Sequence, residues 1–171
     1  MLKRVQHDEV EPVTAISTAA ASDAPALKDL LEAAYRGDSA RQGWNHEADI
    51  LDDERTSREE LDALLADPAV TILTARDGQS LIGCVAVTRK DARLAYLGML
   101  CVLPRLQSSG LGRQLLDAAE DLARAKGVAA MEMTVIDSRA ELIAWYERRG
   151  YARTGETRPF PVPRDPPITF V

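Results

Sequence analysis

The residues whose types and spacing could do chemistry lie in one short run, Gln107-Ser108-Ser109-Gly110-Leu111-Gly112. Glycines at 110 and 112 let the backbone come close to a bound group. A helix begins at the same place, because Leu111, Leu115, Leu116, Ala119, Leu122 and Ala123 share one face at the 3.6-residue period. The first N–H groups of a helix have no partner within it and sit at the positive end of its dipole, so they attract anions, phosphates above all. The same residues suit an ordinary capped turn equally well, with Ser108 or Ser109 as N-cap. No Gly-Lys-Ser/Thr follows, so the run is not a Walker loop, and the three-glycine Rossmann spacing is missing.

A strand must deliver the chain to this loop. Leu94 to Val102 is nearly continuous apolar sequence without charge, the pattern of a strand buried on both faces, and Pro104 ends it. Before it, Val13 to Thr18 alternates as a first strand, and Ser22-Asp23-Ala24-Pro25 opens a helix whose face is Leu27, Leu30, Leu31 and Ala34. That helix runs to Tyr35 and ends near Gly37. Arg36 to Arg55 is polar, a length that suits either a binding loop or a mobile one. Thr56 with Glu59 and Ser57 with Glu60 both fit a capping box, opening a helix through Leu61, Leu64 and Leu65 that stops before Pro68. Two strands, Ala69 to Arg76 and Ser80 to Thr88, flank the hairpin turn Asp77-Gly78, and Asp91-Ala92-Arg93 turns the chain into the central strand.

After the loop, the long helix closes at Gly127, with Arg124 and Lys126 at its negative end. Ala130 to Ile136 reads as a fifth strand, parallel to the central one through a right-handed crossover. Ser138 with Glu141 would cap a helix carrying Leu142, Ile143 and Tyr146, ending at Arg148-Arg149-Gly150. Ala152 to Phe160 suits a strand, a proline-rich loop follows, and Ile168 to Val171 reads as a last strand, either a short edge or a truncated end.

The chain has 171 residues, 27 acidic against 21 basic, and a net charge of −6. The length suits one domain over 1–171, with 1–9 expected to be a flexible N-terminal segment. Negative charge and the lack of a Lys/Arg run disfavour a nucleic-acid surface. Cys84 and Cys101 lie in apolar runs without a spacing motif and read as reduced core thiols, with a reactive thiol as the other reading. His7 and His46 have no ligand spacing around them, so no metal is expected. The N-terminus lacks the apolar core of a secretory signal, and no run of about 18 apolar residues offers a membrane span. The expectation is a cytoplasmic protein.

Strand, two helices, three antiparallel strands, helix, strand, helix and a terminal hairpin is an order that resembles the GNAT family of N-acetyltransferases. The resemblance covers roughly residues 10 to 171 and rests on two motifs. Val102 to Gly112 is similar to that family's Gln/Arg-x-x-Gly-x-Gly/Ala loop, and Trp145-Tyr146-Glu147-Arg148-Arg149-Gly150-Tyr151 to its Tyr-Glu-x-x-Gly-Phe/Tyr signature. The implied fold is α/β (α+β): a central mixed, mostly antiparallel sheet of about seven strands flanked by four helices.

The resemblance also implies acetyl-CoA as acyl donor and a small-molecule amine as acceptor, with no metal, no nucleic acid and no membrane partner; a homodimer stays open. Gln107, Ser108, Ser109, Gly110, Leu111 and Gly112 would hold the pyrophosphate on backbone N–H groups, with Arg113 and Arg105 adding charge at the rim. Leu100, Cys101 and Val102 would pair with the amides of the pantetheine arm where the fourth and fifth strands separate. An N–H near Leu100 would stabilise the oxyanion, and Tyr146 would protonate the leaving thiolate; without the family, Tyr146 reads as a core residue. Arg139 stands where relatives commonly carry an Asn that contacts the cofactor, and a guanidinium can still reach it. No Glu occurs on the fourth strand to act as base, which leaves Tyr96 through a water or capture of the unprotonated amine. Glu32, Tyr35, Trp44 and Glu47 are the candidates for acceptor choice, the carboxylates favouring a cationic amine. A non-catalytic acyl-CoA-binding module of the same fold is the alternative function.

Overall fold

The computed structural model describes residues 15–36, 55–161 and 167–171. Its elements, in chain order, are β1 (Ala15–Thr18), α1 (Ala24–Tyr35), α2 (Arg58–Ala66), β2 (Val70–Asp77), β3 (Ser80–Arg89), β4 (Leu94–Val102), α3 (Leu111–Ala125), β5 (Ala130–Glu132), α4 (Ala140–Glu147), β6 (Arg158–Pro159) and β7 (Thr169–Phe170). Among the described residues, seven strands and four helices thus follow in the expected order. Residues 1–9, the start of the first strand, Trp44, Glu47 and the acidic cluster after it lie outside the described residues.

β1 to β5 form one sheet in sequential order, antiparallel except for the parallel β4–β5 pair. β6 and β7 form an antiparallel ribbon, joined to the rest by an Ile136–Phe170 bridge. Both faces of the large sheet are covered, which is why β3 is buried continuously from Leu81 to Val87. Val85, Val87, Leu97 and Leu100 pack with Leu111, Leu115 and Leu116 of α3 on one face. Cys84, Ala86 and Cys101 pack with Leu27, Leu31 and Leu61 of α1 and α2 on the other. Full burial of a leucine is worth about 1.5–3 kcal/mol, so Leu115 and Leu116 alone hold α3 firmly against the sheet. Gly83 sets the closeness of that contact: a Cβ there would stand 2.8 Å from Leu115 Cδ1 and 3.0 Å from the Cys101 carbonyl oxygen.

The helix starts follow local chemistry. Ser57 and Glu60 form the reciprocal capping box, with Ser57 Oγ accepting from Glu60 N–H and Glu60 Oε2 accepting from Ser57 N–H, each at 3.1 Å. Thr56 adds a hydroxyl bond to the same carboxylate at 2.9 Å. Asp23 does not cap α1 with its side chain; its carboxylate accepts from Ala20 N–H at 2.8 Å and pairs with Arg76 at 2.6 Å. The backbone bond first, then Arg76, hold its pKa below the ordinary carboxylate value.

Three boundaries differ from the sequence reading. β5 stops at Glu132 rather than Ile136, because Val135 exchanges backbone bonds with Val171 (3.0 and 2.8 Å) and Asp137 N–H donates to Thr169 at 2.8 Å. The run Met133 to Ile136 is partly or fully buried, but its backbone pairs with the C-terminal strand rather than with β4. β6 is confined to Arg158–Pro159, since proline offers no N–H to a ladder. Ser138 does not cap α4; Arg139 occupies that position and makes no side-chain capping bond.

Candidate active site

The site begins where β4 and β5 part. They pair only at Leu94–Ala130, Ala95–Met131 and Tyr96–Glu132, after which β4 runs on to Val102 without a partner from β5. In this stretch β4 also carries a bulge. Gly98 pairs with Ala86 and Cys101 with Cys84, so Met99 and Leu100 together oppose Val85 alone. Met99 takes a left-handed conformation, φ 55°, uncommon for a residue with a side chain. The Tyr35 hydroxyl from α1 donates to the Leu100 carbonyl, and Cys84 Sγ donates to the Met99 carbonyl at 3.3 Å.

Beyond β4, Pro104 to Leu106 make a 3-10 turn and the chain enters α3 at Gly110, whose φ of 88° suits glycine. Gly110 is the N-cap and has no side chain to offer, so neither Ser108 nor Ser109 caps the helix. The first N–H groups of α3 are therefore open to a ligand. Ser108 is also left-handed, φ 67°, and the Ser109 N–H beside it donates to the Leu106 carbonyl at 3.3 Å, which leaves the donors from Gly110 onward.

A cavity of about 450 Å³ lies over this loop. Leu100, Cys101 and Val102 form its floor, Gln107, Ser108, Gly110, Gly112 and Arg113 one wall, and Leu142, Trp145, Arg148 and Arg149 of α4 and its end the other. Arg149 stacks on the Trp145 ring, 3.6 Å from guanidinium carbon to centroid, and donates to the Trp145 carbonyl at 2.8 Å. Its Nε is buried and has no partner among the described residues. Burial first, then the neighbouring Arg113 and Arg148, lower the Arg149 pKa. Three guanidiniums, of Arg113, Arg148 and Arg149, thus line the same cavity as the loop, which is a site for a polyanion.

A second cavity, about 410 Å³, shares Leu100 and Leu142 with the first. Tyr146 lines it from α4, one turn after Leu142, so this helix forms the seam between the two. Tyr146 is 8% exposed, packed edge-on against Trp145 and Tyr151 with centroids 5.0 and 5.7 Å away. Burial pushes its phenol pKa up, with Arg139 opposing and Tyr96 adding to the shift. The hydroxyls of Tyr96 and Thr134 share a hydrogen bond of 2.7 Å in the same cavity.

Most of the residues singled out in the sequence come together here. Leu100, Cys101, Val102, Gln107, Ser108, Gly110, Gly112 and Arg113 line the first cavity; Tyr35, Arg139 and Tyr146 line the second. Leu111 instead turns its side chain into the core, and Ser109 is exposed and lines neither cavity. Glu32 is not at the site: its carboxylate accepts from Arg55 N–H at 2.7 Å and Thr56 N–H at 3.2 Å, tying α1 to the entry of α2. Trp44 and Glu47 lie outside the described residues. Leu142, Trp145, Arg148 and Arg149, which the sequence places on the last helix and in its motif, were not among the expected cofactor-binding residues. Leu142, Trp145 and Arg149 recur at i, i+3 and i+7, a signal that would have placed them on one helix face.

The sequence profile of the acetyltransferase (GNAT) family matches residues 25–151, which hold both cavities' principal elements. The chain belongs to this acetyltransferase family. It is 31% identical over 97 residues to the IAA acetyltransferase of Azospirillum brasilense, a match covering 56% of this chain and 63%, less than two thirds, of that relative. Among solved structures, the Escherichia coli ribosomal-protein-S18-alanine N-acetyltransferase superposes with a TM-score of 0.69 at 20% identity, covering 92% of each chain. The PaiA N-acetyltransferase of Thermoplasma acidophilum in complex with coenzyme A gives 0.67 at 18% identity, covering 92% of this chain and 96% of that one. These two likenesses concern the fold. No helix among the described residues is long and apolar enough to cross a membrane, and they hold no cluster of metal-ligating side chains.

Proposed function

We propose that this acetyltransferase-family chain moves an acetyl group from acetyl-CoA to the primary amine of a small molecule by direct attack on the thioester. The observation that carries the reading is the junction of the two cavities at Leu100 and Leu142. One cavity has the donors for a polyanionic, amide-bearing chain; the other has a protonated phenol.

Acetyl-CoA enters the reaction as a substrate whose phosphates suit the N–H groups of the Ser108–Gly112 loop and the guanidiniums of Arg113, Arg148 and Arg149. Its two pantetheine amides suit the edge of β4 from Leu100 to Val102, past the point where β5 has left it. The Leu100 N–H is the donor best placed for the oxygen that becomes negative when the amine attacks. The Tyr146 hydroxyl, kept protonated by burial, is the proton donor for the departing thiolate. Acceptor choice falls to the second cavity. Its charged described residues are Arg36, Arg55, Arg139 and Glu60, and Glu60 is already engaged in the α2 cap. Glu32 therefore drops out as a determinant of acceptor charge.

Thiol release from acetyl-CoA across a panel of primary amines tests the proposal. Amine-dependent release by the wild type, lost in Tyr146→Phe, is the expected result. Binding of acetyl-CoA with no release above background for any amine would favour the non-catalytic module.

A further inference from the structure

The β4 bulge holds an uncommon conformation, and the structure shows what holds it there. Met99 sits at φ 55°, a region that a side chain makes unfavourable by about 1–2 kcal/mol, so neighbouring contacts must fix it. Two side chains from the α1–α2 side of the sheet do so. Cys84 Sγ, on β3 and 0% exposed, donates to the Met99 carbonyl at 3.3 Å. The Tyr35 hydroxyl, from the last residue of α1, donates to the Leu100 carbonyl in a buried bond. Successive carbonyls of the bulge are thus each held by a side chain more than ten residues away in sequence.

A trans peptide is planar, and its C=O and N–H point in opposite directions. Drawing the Met99 carbonyl toward Cys84 on β3 therefore turns the Leu100 N–H away from β3. Beyond the Tyr96–Glu132 pair β5 has left the sheet, and the two cavities meet at Leu100. Tyr35 fixes the next peptide in the same way. Neither side chain needs to touch a substrate to decide where this donor points.

We propose that Cys84 and Tyr35 are positioning residues that aim the Leu100 N–H at the thioester oxygen, a role that rests on the acetyl-transfer reading of the site. The thiol suits the task because it is kept protonated: its hydrogen bond with Cys101, with sulfurs 3.6 Å apart, and its burial both raise its pKa. Cys84→Ser keeps a donor in the same place, whereas Cys84→Ala removes it. Tyr35→Phe removes only a hydroxyl.

Coenzyme A and acetyl-CoA form the decisive pair of probes, because only the second carries a thioester oxygen for this N–H. In ¹⁵N-labelled wild type the Leu100 amide resonance should separate the two ligands, while residues of the Ser108–Gly112 loop respond to both alike. In Tyr35→Phe and Cys84→Ala that separation should shrink at least ~2-fold and the single-turnover rate of thiol release should fall ~10-fold or more. Affinity for coenzyme A should stay within ~2-fold, and Cys84→Ser should recover most of the loss. A merely structural role would weaken both ligands together. Should Cys84→Ala fail to fold, Tyr35→Phe and Cys84→Ser carry the comparison. Full separation and wild-type rates in Tyr35→Phe would overturn the assignment. A wild type that binds coenzyme A but whose Leu100 amide ignores the acetyl group would overturn it too, leaving the cofactor site standing. A wild type that binds neither ligand would overturn the reading of the site itself.

Discussion

Replacing Tyr146 by Phe removes one oxygen and leaves the ring in its place. The ring makes edge contacts with Trp145 and Tyr151 at 5.0 and 5.7 Å, and both survive the change. The hydroxyl makes no hydrogen bond among the described residues, so its loss should move folding stability by no more than about 1 kcal/mol. Catalysis is where the cost should fall. General acid catalysis is worth about 10²–10⁴ in rate, or ~2.7–5.4 kcal/mol at the transition state. The Michaelis constant for acetyl-CoA should hardly change, because Tyr146 lines the second cavity and not the first. Burial keeps the phenol protonated beyond its ordinary range, so the wild-type rate should show no alkaline loss from this group below about pH 10. An acidic fall in rate would instead reflect protonation of the acceptor amine. The assay is single-turnover thiol release, with an amine that the wild type acetylates and with chemistry limiting, since slow product release would mask the effect. A wild-type rate for Tyr146→Phe under those conditions would refute the assignment and return Tyr146 to the core.

Gly83→Ala should destabilise the fold by about 1–3 kcal/mol in urea titration, because its Cβ would press on Leu115 and the Cys101 carbonyl; an unchanged midpoint would mean that α3 can withdraw without cost. Both Tyr146 and Tyr151 keep protons, through burial first, that the unfolded chain releases near pH 10. Their contribution is present in full below about pH 10 and lost above it, so unfolding free energy should decline on the alkaline side, less steeply in Tyr151→Phe. The two thiols, Cys84 and Cys101, are buried, so a thiol reagent should label neither in the native protein and both in denaturant. Ser57→Ala, which removes the α2 cap, should cost about 0.5–2 kcal/mol in the same urea titration.

Much of the fold was legible because its signals are local. Apolar continuity identified β4 as a covered strand, Pro104 marked its end, and Gly127, left-handed at φ 76°, marked the end of α3. The Ser57–Glu60 box was readable for the same reason. What was not legible depends on which distant segment becomes a partner. Met133 to Ile136 is as apolar as a β5 extension would be, yet Val135 finds Val171, and no periodicity reports that choice. Glu32 has the charge to contact an amine, but the N–H groups of Arg55 and Thr56 reach it first. The bulge is hidden as well, since Gly98-Met99-Leu100 reads as uninterrupted strand and its conformation depends on Cys84 and Tyr35. Arg148 and Arg149 looked like cations for a helix end, yet both line the first cavity, Arg149 stacked on Trp145.

The central claim is that the Ser108–Gly112 loop holds the phosphates of acetyl-CoA, and Gly112→Glu probes it most directly. Gly110 is a poorer choice, because its left-handed backbone would strain any side chain placed there. At Gly112 a Cβ would meet only ordinary contacts, Trp145 at 3.7 Å and Val102 at 3.9 Å, so the fold should persist while a carboxylate enters the cradle. Calorimetric titration of acetyl-CoA should give one site per chain in the wild type and an affinity at least ~10-fold weaker in the variant, ~1.4 kcal/mol or more, with the thermal midpoint retained. Equal affinities for the two proteins, or no binding by the wild type, would contradict it.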